Sequence, residues 1–322
     1  MEQPTDHKNV SSADKYKNFE STEKSNHGRL PTISEADARQ AFLEYAKRHT
    51  GYSSTPAKEM SIENIKALKI YRYSLRTFYE ERETAWKTCP YYGGEVDGPS
   101  NGTAPNPKNM RVYRPYWFVT GEKTIIVPHT SKVQLCICCA GKRMVPCPPL
   151  IVCMMCLGSG LYYPGRCFSC GGTGRVRCGL CFGRGRVRCI PCIGQGRMIT
   201  FLQMKIKWKN HFDKFVSNRN SEFPSEKVDK VSGKTIFSDE DTLVRPVTAF
   251  SDPSINESFR NILKEHAKLS KHYKILRQHQ KIELVPLSKV YYEWKGEHGA
   301  YYVYGVENKA YCDSYPKRCV IM

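Results

Sequence analysis

Cys153-Met154-Met155-Cys156-Leu157-Gly158-Ser159-Gly160 opens a run of four copies of one motif, CxxCxGxG. The others are Cys167-Phe168-Ser169-Cys170-Gly171-Gly172-Thr173-Gly174, Cys178-Gly179-Leu180-Cys181-Phe182-Gly183-Arg184-Gly185 and Cys189-Ile190-Pro191-Cys192-Ile193-Gly194-Gln195-Gly196. Each CxxC turn sets two thiolates on one tetrahedral metal, and two turns complete a four-sulfur shell. Such a shell suits Zn²⁺, which has no redox chemistry and accepts sulfur. The glycines let the chain wrap tightly around sulfur with positive φ and backbone N–H groups turned inward. A single CxxC also reads as a redox dithiol or a buried pair, but four in-phase copies point to metal. The predicted zinc ligands are Cys153, Cys156, Cys167, Cys170, Cys178, Cys181, Cys189 and Cys192, enough for two ions. A closed four-cysteine site leaves no position for a substrate, so the module argues against metal catalysis.

Upstream lies a degenerate stretch: Cys136-Ile137-Cys138-Cys139-Ala140-Gly141-Lys142-Arg143, then Cys147-Pro148-Pro149-Leu150. Cys136 to Cys147 repeats the 11-residue period of the later motifs, but Leu150 stands where a second cysteine belongs, and Cys153 follows Cys147 after only six residues. Cys136, Cys139 and Cys147 are additional candidate ligands, with Cys138 as a stand-in for a neighbour; the alternative is that these thiols are free.

Working outward, the 322-residue chain is 40% hydrophobic and 11% aromatic, with 20 tyrosines, several in alternating runs. That composition supports a folded, strand-rich core. Residues 1–30 are polar and read as disordered. Ser34 and Asp37 form a capping box ahead of Phe42, Leu43 and Ala46, with a helix stop at Thr50-Gly51. Tyr71, Tyr73 and Leu75 alternate with Arg72, Ser74 and Arg76 as a strand, and a second strand near Arg82–Thr88 follows a tight turn. Residues 90–110 are loop, Val112–Val119 and Lys123–Val127 are strands, and Ile199–Trp208 alternates again. Residues 217–252 are polar, and a helix opens at Ser254 and Glu257 and runs to about Leu269. Lys281–Val285, Val290–Trp294 and Ala300–Val306 are strands, the last two joined as a hairpin around Gly296–Gly299. His266, His272 and His279 read as surface residues on or just after that helix. The fold class is α+β: a β-rich domain with two helices and a central CxxCxGxG zinc-binding module. The expected layout is a disordered N-terminus (1–30), an N-terminal α+β region (31–132), the cysteine-rich module (133–198), a C-terminal β-rich region with one helix (199–311) and a tail (312–322).

The formal net charge of +19 points to an acidic partner, whether nucleic acid, anionic membrane surface or protein. Between Ser131 and Thr200 no Asp or Glu occurs, while GRVRC occurs twice. On a strand, Arg175 and Arg177 share a face, as do Arg186 and Arg188, and such a stripe suits phosphate contacts. The competing reading is neutralisation, because each four-thiolate zinc site carries about −2. No segment approaches the roughly 18 apolar residues of a membrane span and no secretory leader is visible, so a cytoplasmic or nuclear protein with reduced thiols is expected. The chain ends Cys319-Val320-Ile321-Met322, a CaaX box that directs a farnesyl group to Cys319, with Lys317 and Arg318 beside it. Farnesyl plus basic residues would bring the protein to an anionic membrane surface.

The four motifs resemble the cysteine-rich domain of DnaJ-type chaperones, which carries four such repeats and two zinc ions. The resemblance covers about 45 residues, the motifs here start 14, 11 and 11 residues apart, and no His-Pro-Asp tripeptide of a J domain occurs. More of the chain, from about residue 34 onward, is similar to the animal Ssu-two homolog family. The match is carried by VDGP (Val96–Pro99), VPHTS (Val127–Ser131), the repeats, KWKN (Lys207–Asn210) and IELVPLSKVYYEW (Ile282–Trp294). That resemblance implies a zinc-module protein with a developmental role, in tooth development for vertebrates, and no defined enzymatic activity.

The DnaJ resemblance also implies a pairing in which outer motifs share one metal and inner motifs the other. Cys153/Cys156 would join Cys189/Cys192, and Cys167/Cys170 would join Cys178/Cys181. A rival follows from the glycines and Pro164 between Cys156 and Cys167, a natural reversal point. It pairs Cys153/Cys156 with Cys167/Cys170, sets Cys136/Cys139 opposite Cys189/Cys192, and sets Cys147 opposite Cys178/Cys181. The first scheme is preferred here because it uses only intact ligands. The functional expectation is a non-enzymatic zinc-binding scaffold or chaperone-like protein that binds protein clients. The alternatives are a nucleic-acid-binding regulator using the basic module and a thiol-disulfide oxidoreductase.

Overall fold

The structure, a computed structural model, describes residues 32–217, 222–247, 250 and 252–316. The N-terminus read as disordered and the Cys319 box lie outside the described residues. The strands are β1 (Ser61–Pro90), β2 (Gly121–Ile126), β3 (Lys132–Leu135), β4 (Met144–Pro146), β5 (Leu150–Val152), β6 (Leu161–Tyr162) and β7 (Gly165–Arg166). They continue with β8 (Arg175–Arg177), β9 (Arg186–Arg188), β10 (Arg197–Ser217), β11 (Lys234–Asp241), β12 (Lys274–Trp294), β13 (Glu297–Tyr304) and β14 (Lys309–Tyr311). Helices are α1 (Glu35–Arg48), α2 (Thr55–Glu59), α3 (Ser225–Val228) and α4 (Pro253–Lys268). The chain is thus β-rich with few helices, and α2 and α3 are short additions to the two the sequence predicts. Two compact units divide it: one of residues 1–81, 115–121 and 208–322, the other of residues 82–114 and 122–207. Strands β1 and β10 contribute residues to both.

In the first unit β12 is the spine. It pairs with β1 along one edge, Tyr73 opposite Ile282, and along the other with β11 and then β13. The sequence pattern predicts two strands here, separated near Pro286. The structure has one strand, because Pro286 falls where β11 (partners to Leu284) gives way to β13 (partners from Leu287). Its missing N–H is not needed there. The turn expected inside β1 is likewise absent: no Gly or Pro interrupts Ser61 to Cys89, and only register shifts at Ile62/Asn64 and Phe78/Tyr79 mark the run. Strand β11 lies in the stretch read as polar. Val112–Val119 is irregular rather than a strand, with Pro115 inside it, Tyr113 and Tyr116 exposed, and Phe118 at φ 60°.

Ser34 caps α1 as expected: its Oγ accepts the Asp37 N–H at 3.1 Å, and its hydroxyl donates to Asp37 Oδ2 at 2.7 Å, so the Asp37 carboxylate holds the hydroxyl. Phe42 on that helix is fully buried and stacks on Tyr301 with ring centroids 4.2 Å apart. Helix α4 is capped by Asp252, with Pro253 in its first turn, and buries Ile255, Phe259 and His266. Phe259 meets Tyr73 edge-on at 4.0 Å. An ion pair, Arg72 to Glu283 at 2.8 Å, is mostly buried, and Arg72 also donates to the carbonyls of Val228 and Val231. Those extra bonds satisfy a charge that would otherwise be expensive to bury.

His266, read as a surface residue, is fully buried. Its Nδ1 lies 2.6 Å from Thr77 Oγ1 and its Nε2 3.1 Å from Asp213 Oδ2, while Gln278 donates to Thr77. It shares the buried face of α4 with Ile255 and Phe259, which fall 11 and 7 residues earlier at helical spacing.

Candidate metal centre

In the second unit the cysteine segment is a two-armed ladder. The arms pair β6 with β7 at the tip (Leu161 opposite Arg166), then β5 with β8, then β4 with β9. Beyond them β3 pairs with the start of β10, Leu135 opposite Arg197. Between successive pairings sit three groups of thiols. Cys153, Cys156, Cys167 and Cys170 lie nearest the tip, Cys147, Cys178 and Cys181 in the middle, and Cys136, Cys139, Cys189 and Cys192 at the base.

Within each group all sulfurs lie within 4.8 Å of one another. Facing sulfurs are 3.8 Å apart for Cys153–Cys167 and for Cys136–Cys189, and 3.7 Å for Cys156–Cys170 and for Cys139–Cys192. A disulfide needs about 2.05 Å. A tetrahedron with Zn–S bonds of about 2.3 Å has edges of about 3.8 Å, so the eight thiols of the two quartets fit two tetrahedral metal shells. The thiols are also crowded as a cation would require. Backbone N–H groups of Cys156 and Met155 draw the Cys153 thiol down to about 6, while burial pushes its neighbour Cys167 up to about 11. Without a cation such neighbours cannot all ionise. The arrangement is consistent with zinc.

The preferred pairing is therefore overturned. The quartets join Cys153/Cys156 with Cys167/Cys170 and Cys136/Cys139 with Cys189/Cys192, which is the rival layout. The outer-with-outer scheme needs the arms to reverse between Cys170 and Cys178, where β8 instead runs straight against β5. The reversal is in the 14-residue gap, at Tyr162–Gly165. The upstream unit is less damaged than its sequence suggests. Arg143, in the place of its last glycine, adopts φ 68° beside Gly160, Gly174, Gly185 and Gly196 at 71°, 72°, 73° and 77°. Cys138 is exposed and belongs to no group.

Local wrapping explains the motif. The last glycine donates its N–H to the second cysteine's sulfur: Gly160 to Cys156 and Gly174 to Cys170 at 3.2 Å, Gly196 to Cys192 at 3.3 Å. In the tip rung the two turns press together, and a Cβ on Gly160 or Gly174 would come within 2.3 Å of a carbonyl of the facing turn. The residue before each first cysteine lies over the first glycine of its own turn: Leu135 on Gly141, Val152 on Gly158, Arg166 on Gly172, Arg177 on Gly183 and Arg188 on Gly194. On the stripe, Arg175, Arg177, Arg186 and Arg188 are exposed, while Val176 and Val187 turn toward the thiols. The shared faces thus hold, but Arg177 and Arg188 use their stems to cover glycines.

A second regularity was not read from the sequence. The residue just after each second cysteine has positive φ: Ala140 48°, Leu157 51°, Phe182 50°, Ile193 46° and Gly171 61°. Three of these are bulky, and Leu157 and Phe182 are largely exposed. In four of the five CxxC turns the position after the first cysteine is apolar and 75% to 91% exposed, Ile137, Met154, Phe168 and Ile190, while the Cys178 turn has Gly179 there. Aligning the motifs in phase would have shown apolar residues recurring at these two positions.

Fold and thiol geometry define a protein that joins a β-rich frame to a cysteine ladder able to hold metal ions. No family model matches the chain, and no solved structure does. It is 39% identical over 297 residues to a zebrafish (Danio rerio) protein, "Protein SSUH2 homolog", covering 90% of this chain and 82% of the relative. The human protein of that name is 36% identical over 298 residues, with 90% and 80% covered. The mouse one is 34% identical over 260 residues, with 78% and 76% covered. The chain belongs to the SSUH2 homolog family.

Proposed function

We propose that the protein is a non-enzymatic scaffold whose cysteine ladder binds zinc and presents an apolar surface to a protein partner. The DnaJ-type resemblance suggests a chaperone-like mode, and the family resemblance a developmental setting. The observation that carries the reading is the row of strained, exposed apolar residues. Leu157, Phe182 and Ile193 hold a left-handed backbone at a cost on the order of 1–2 kcal/mol each. Glycine, which the same position carries at Gly171, would avoid that cost. Ile137, Met154, Phe168 and Ile190, each at least 75% exposed, add further apolar side chains to the outside of the ladder. The partner that fits is an apolar polypeptide segment bearing acidic residues, since residues 131–200 contain no acid.

The test is binding of fluorescent apolar peptides with and without acidic flanks to the full chain and to a Leu157→Gly/Phe182→Gly/Ile193→Gly variant. The variant should lose binding by at least tenfold with its zinc content unchanged. Undiminished binding would remove the reading. A nucleic-acid role has the four exposed arginines in its favour. It predicts salt-sensitive RNA or DNA retention that is lost in Arg175→Ala/Arg186→Ala, the two positions whose stems cover no glycine.

A further inference from the structure

The middle rung differs from its neighbours. We infer that Cys147, Cys178 and Cys181, with the carbonyl of Pro148, form a third zinc site whose ion exchanges while those of the two quartets stay bound. The inference rests on the zinc reading above and adds a site with a different donor set.

The three thiols are buried, and Cys147 Sγ is 3.6 Å from Cys178 Sγ, as close as facing sulfurs in the quartets. The arms hold them as they hold the quartets: the Cys147 N–H donates to the Gly185 carbonyl and the Cys178 N–H to the Pro149 carbonyl, both at 3.0 Å. Where the fourth sulfur is missing, an oxygen is present. Pro148 O lies 3.5 Å from Cys181 Sγ and 3.8 Å from Cys147 Sγ. A tetrahedral zinc with Zn–S of about 2.3 Å and Zn–O of about 2.0–2.2 Å separates sulfur from oxygen by about 3.5–3.7 Å. Leu150 does not restore the turn, because after Pro148-Pro149 the chain enters β5 directly.

The donor set explains the exchange. Three thiolates and a neutral carbonyl leave the zinc complex at about −1 rather than −2, and one arm contributes a single thiolate instead of a chelating pair. When the ion leaves, the Cys147 and Cys181 thiols can donate to the same Pro148 oxygen, so the empty rung keeps its polar groups satisfied. A weak, neutral fourth ligand is also the easiest for an incoming thiol to displace.

The experiment is native mass spectrometry of the full chain saturated with Zn²⁺, followed by challenge with a chromophoric chelator. Three ions per chain are expected. One should be released at chelator concentrations lower by on the order of 10–100-fold, the loss in affinity that even an outer-shell defect brings. During that first release, thiol alkylation should label Cys147, Cys178 and Cys181 while the eight quartet cysteines stay protected, a readout that needs no variant. Cys147→Ser should hold two ions and lose the early phase. Saturation at two ions, an unchanged count in Cys147→Ser, or release of all three in one phase would overturn the inference while leaving zinc binding intact. A zinc-free chain would sink the zinc reading itself.

Discussion

The β-rich frame and the cysteine ladder bury opposite things. In the frame, aromatic and aliphatic side chains are inside: Phe42 on Tyr301, Tyr73 on Phe259, and Ile70, Leu75 and Ile282 at or below 1% exposure. In the ladder the fully or nearly buried side chains are thiols, while Ile137, Met154, Leu157, Phe168, Phe182 and Ile190 face solvent. Its paired strands are two or three residues long, too short to stand by themselves. The frame is held by apolar burial, whereas under the proposed zinc binding the ladder's order would rest on the metal its sulfurs hold. An apolar residue does not belong to a core merely by being apolar.

The largest effect expected from this contrast is on metal removal. Structural zinc contributes on the order of 10–16 kcal/mol to small folds. Chelation should therefore abolish amide protection across residues 131–200 and leave β12, β13 and α4 protected, as read by hydrogen exchange. Equal loss in both regions would break the comparison. The converse is Phe42→Ala, which should cost the frame about 3–5 kcal/mol in chemical denaturation. Zinc content and thiol protection in the ladder should not change.

A smaller effect of opposite sign is expected at Ile193. Ile193→Gly relieves a β-branched residue at φ 46°, and should raise the ladder's resistance to chelator by about 1 kcal/mol. A destabilised variant would mean that Ile193 packs rather than presents. The smallest effect is on the frame's pH dependence. Burial, and then His211, hold the pKa of His266 below its ordinary value against the pull of Asp213, and burial does the same for His279. The unfolded chain therefore takes up the proton first. Their contribution is fully present above the unfolded pKa of about 6.5 and is lost as pH falls from there through the lower folded pKa. Denaturation midpoints measured from pH 8 to 5 should fall at the acid end, and less steeply in His266→Gln.

Much of the metal centre was legible because its logic is local. CxxC fixes two thiols within one turn, and the following glycines accommodate positive φ wherever the chain wraps sulfur. Local signals also sufficed for the cap at Ser34, the alternation of Tyr71, Tyr73 and Leu75, and α4, read from Ser254 and Glu257 and begun in the structure at Pro253 behind the Asp252 cap. The strand lengths were less legible, because a proline such as Pro286 ends a strand only if its absent N–H faces a partner. That depends on which strands lie alongside.

The sequence alone determined which residue types could hold metal, that they recur every 11 residues apart from one 6-residue and one 14-residue step, and that no acid accompanies them between Ser131 and Thr200. Tertiary structure decided which turns face each other. The period runs along both arms, so it fits either pairing until the reversal at Tyr162–Gly165 fixes the partners of every rung above it. The same step made Cys136 and Cys139 full members of a quartet and left Cys147 in a trio. In the other unit, tertiary packing placed His266 inside, because burial of a helix residue is set by what its face packs against and not by its own polarity. For the same reason Leu157 and Phe182 point outward and Ile193 is left part-exposed: sulfur fills the interior of each turn, and the residue after the second cysteine is turned away from it.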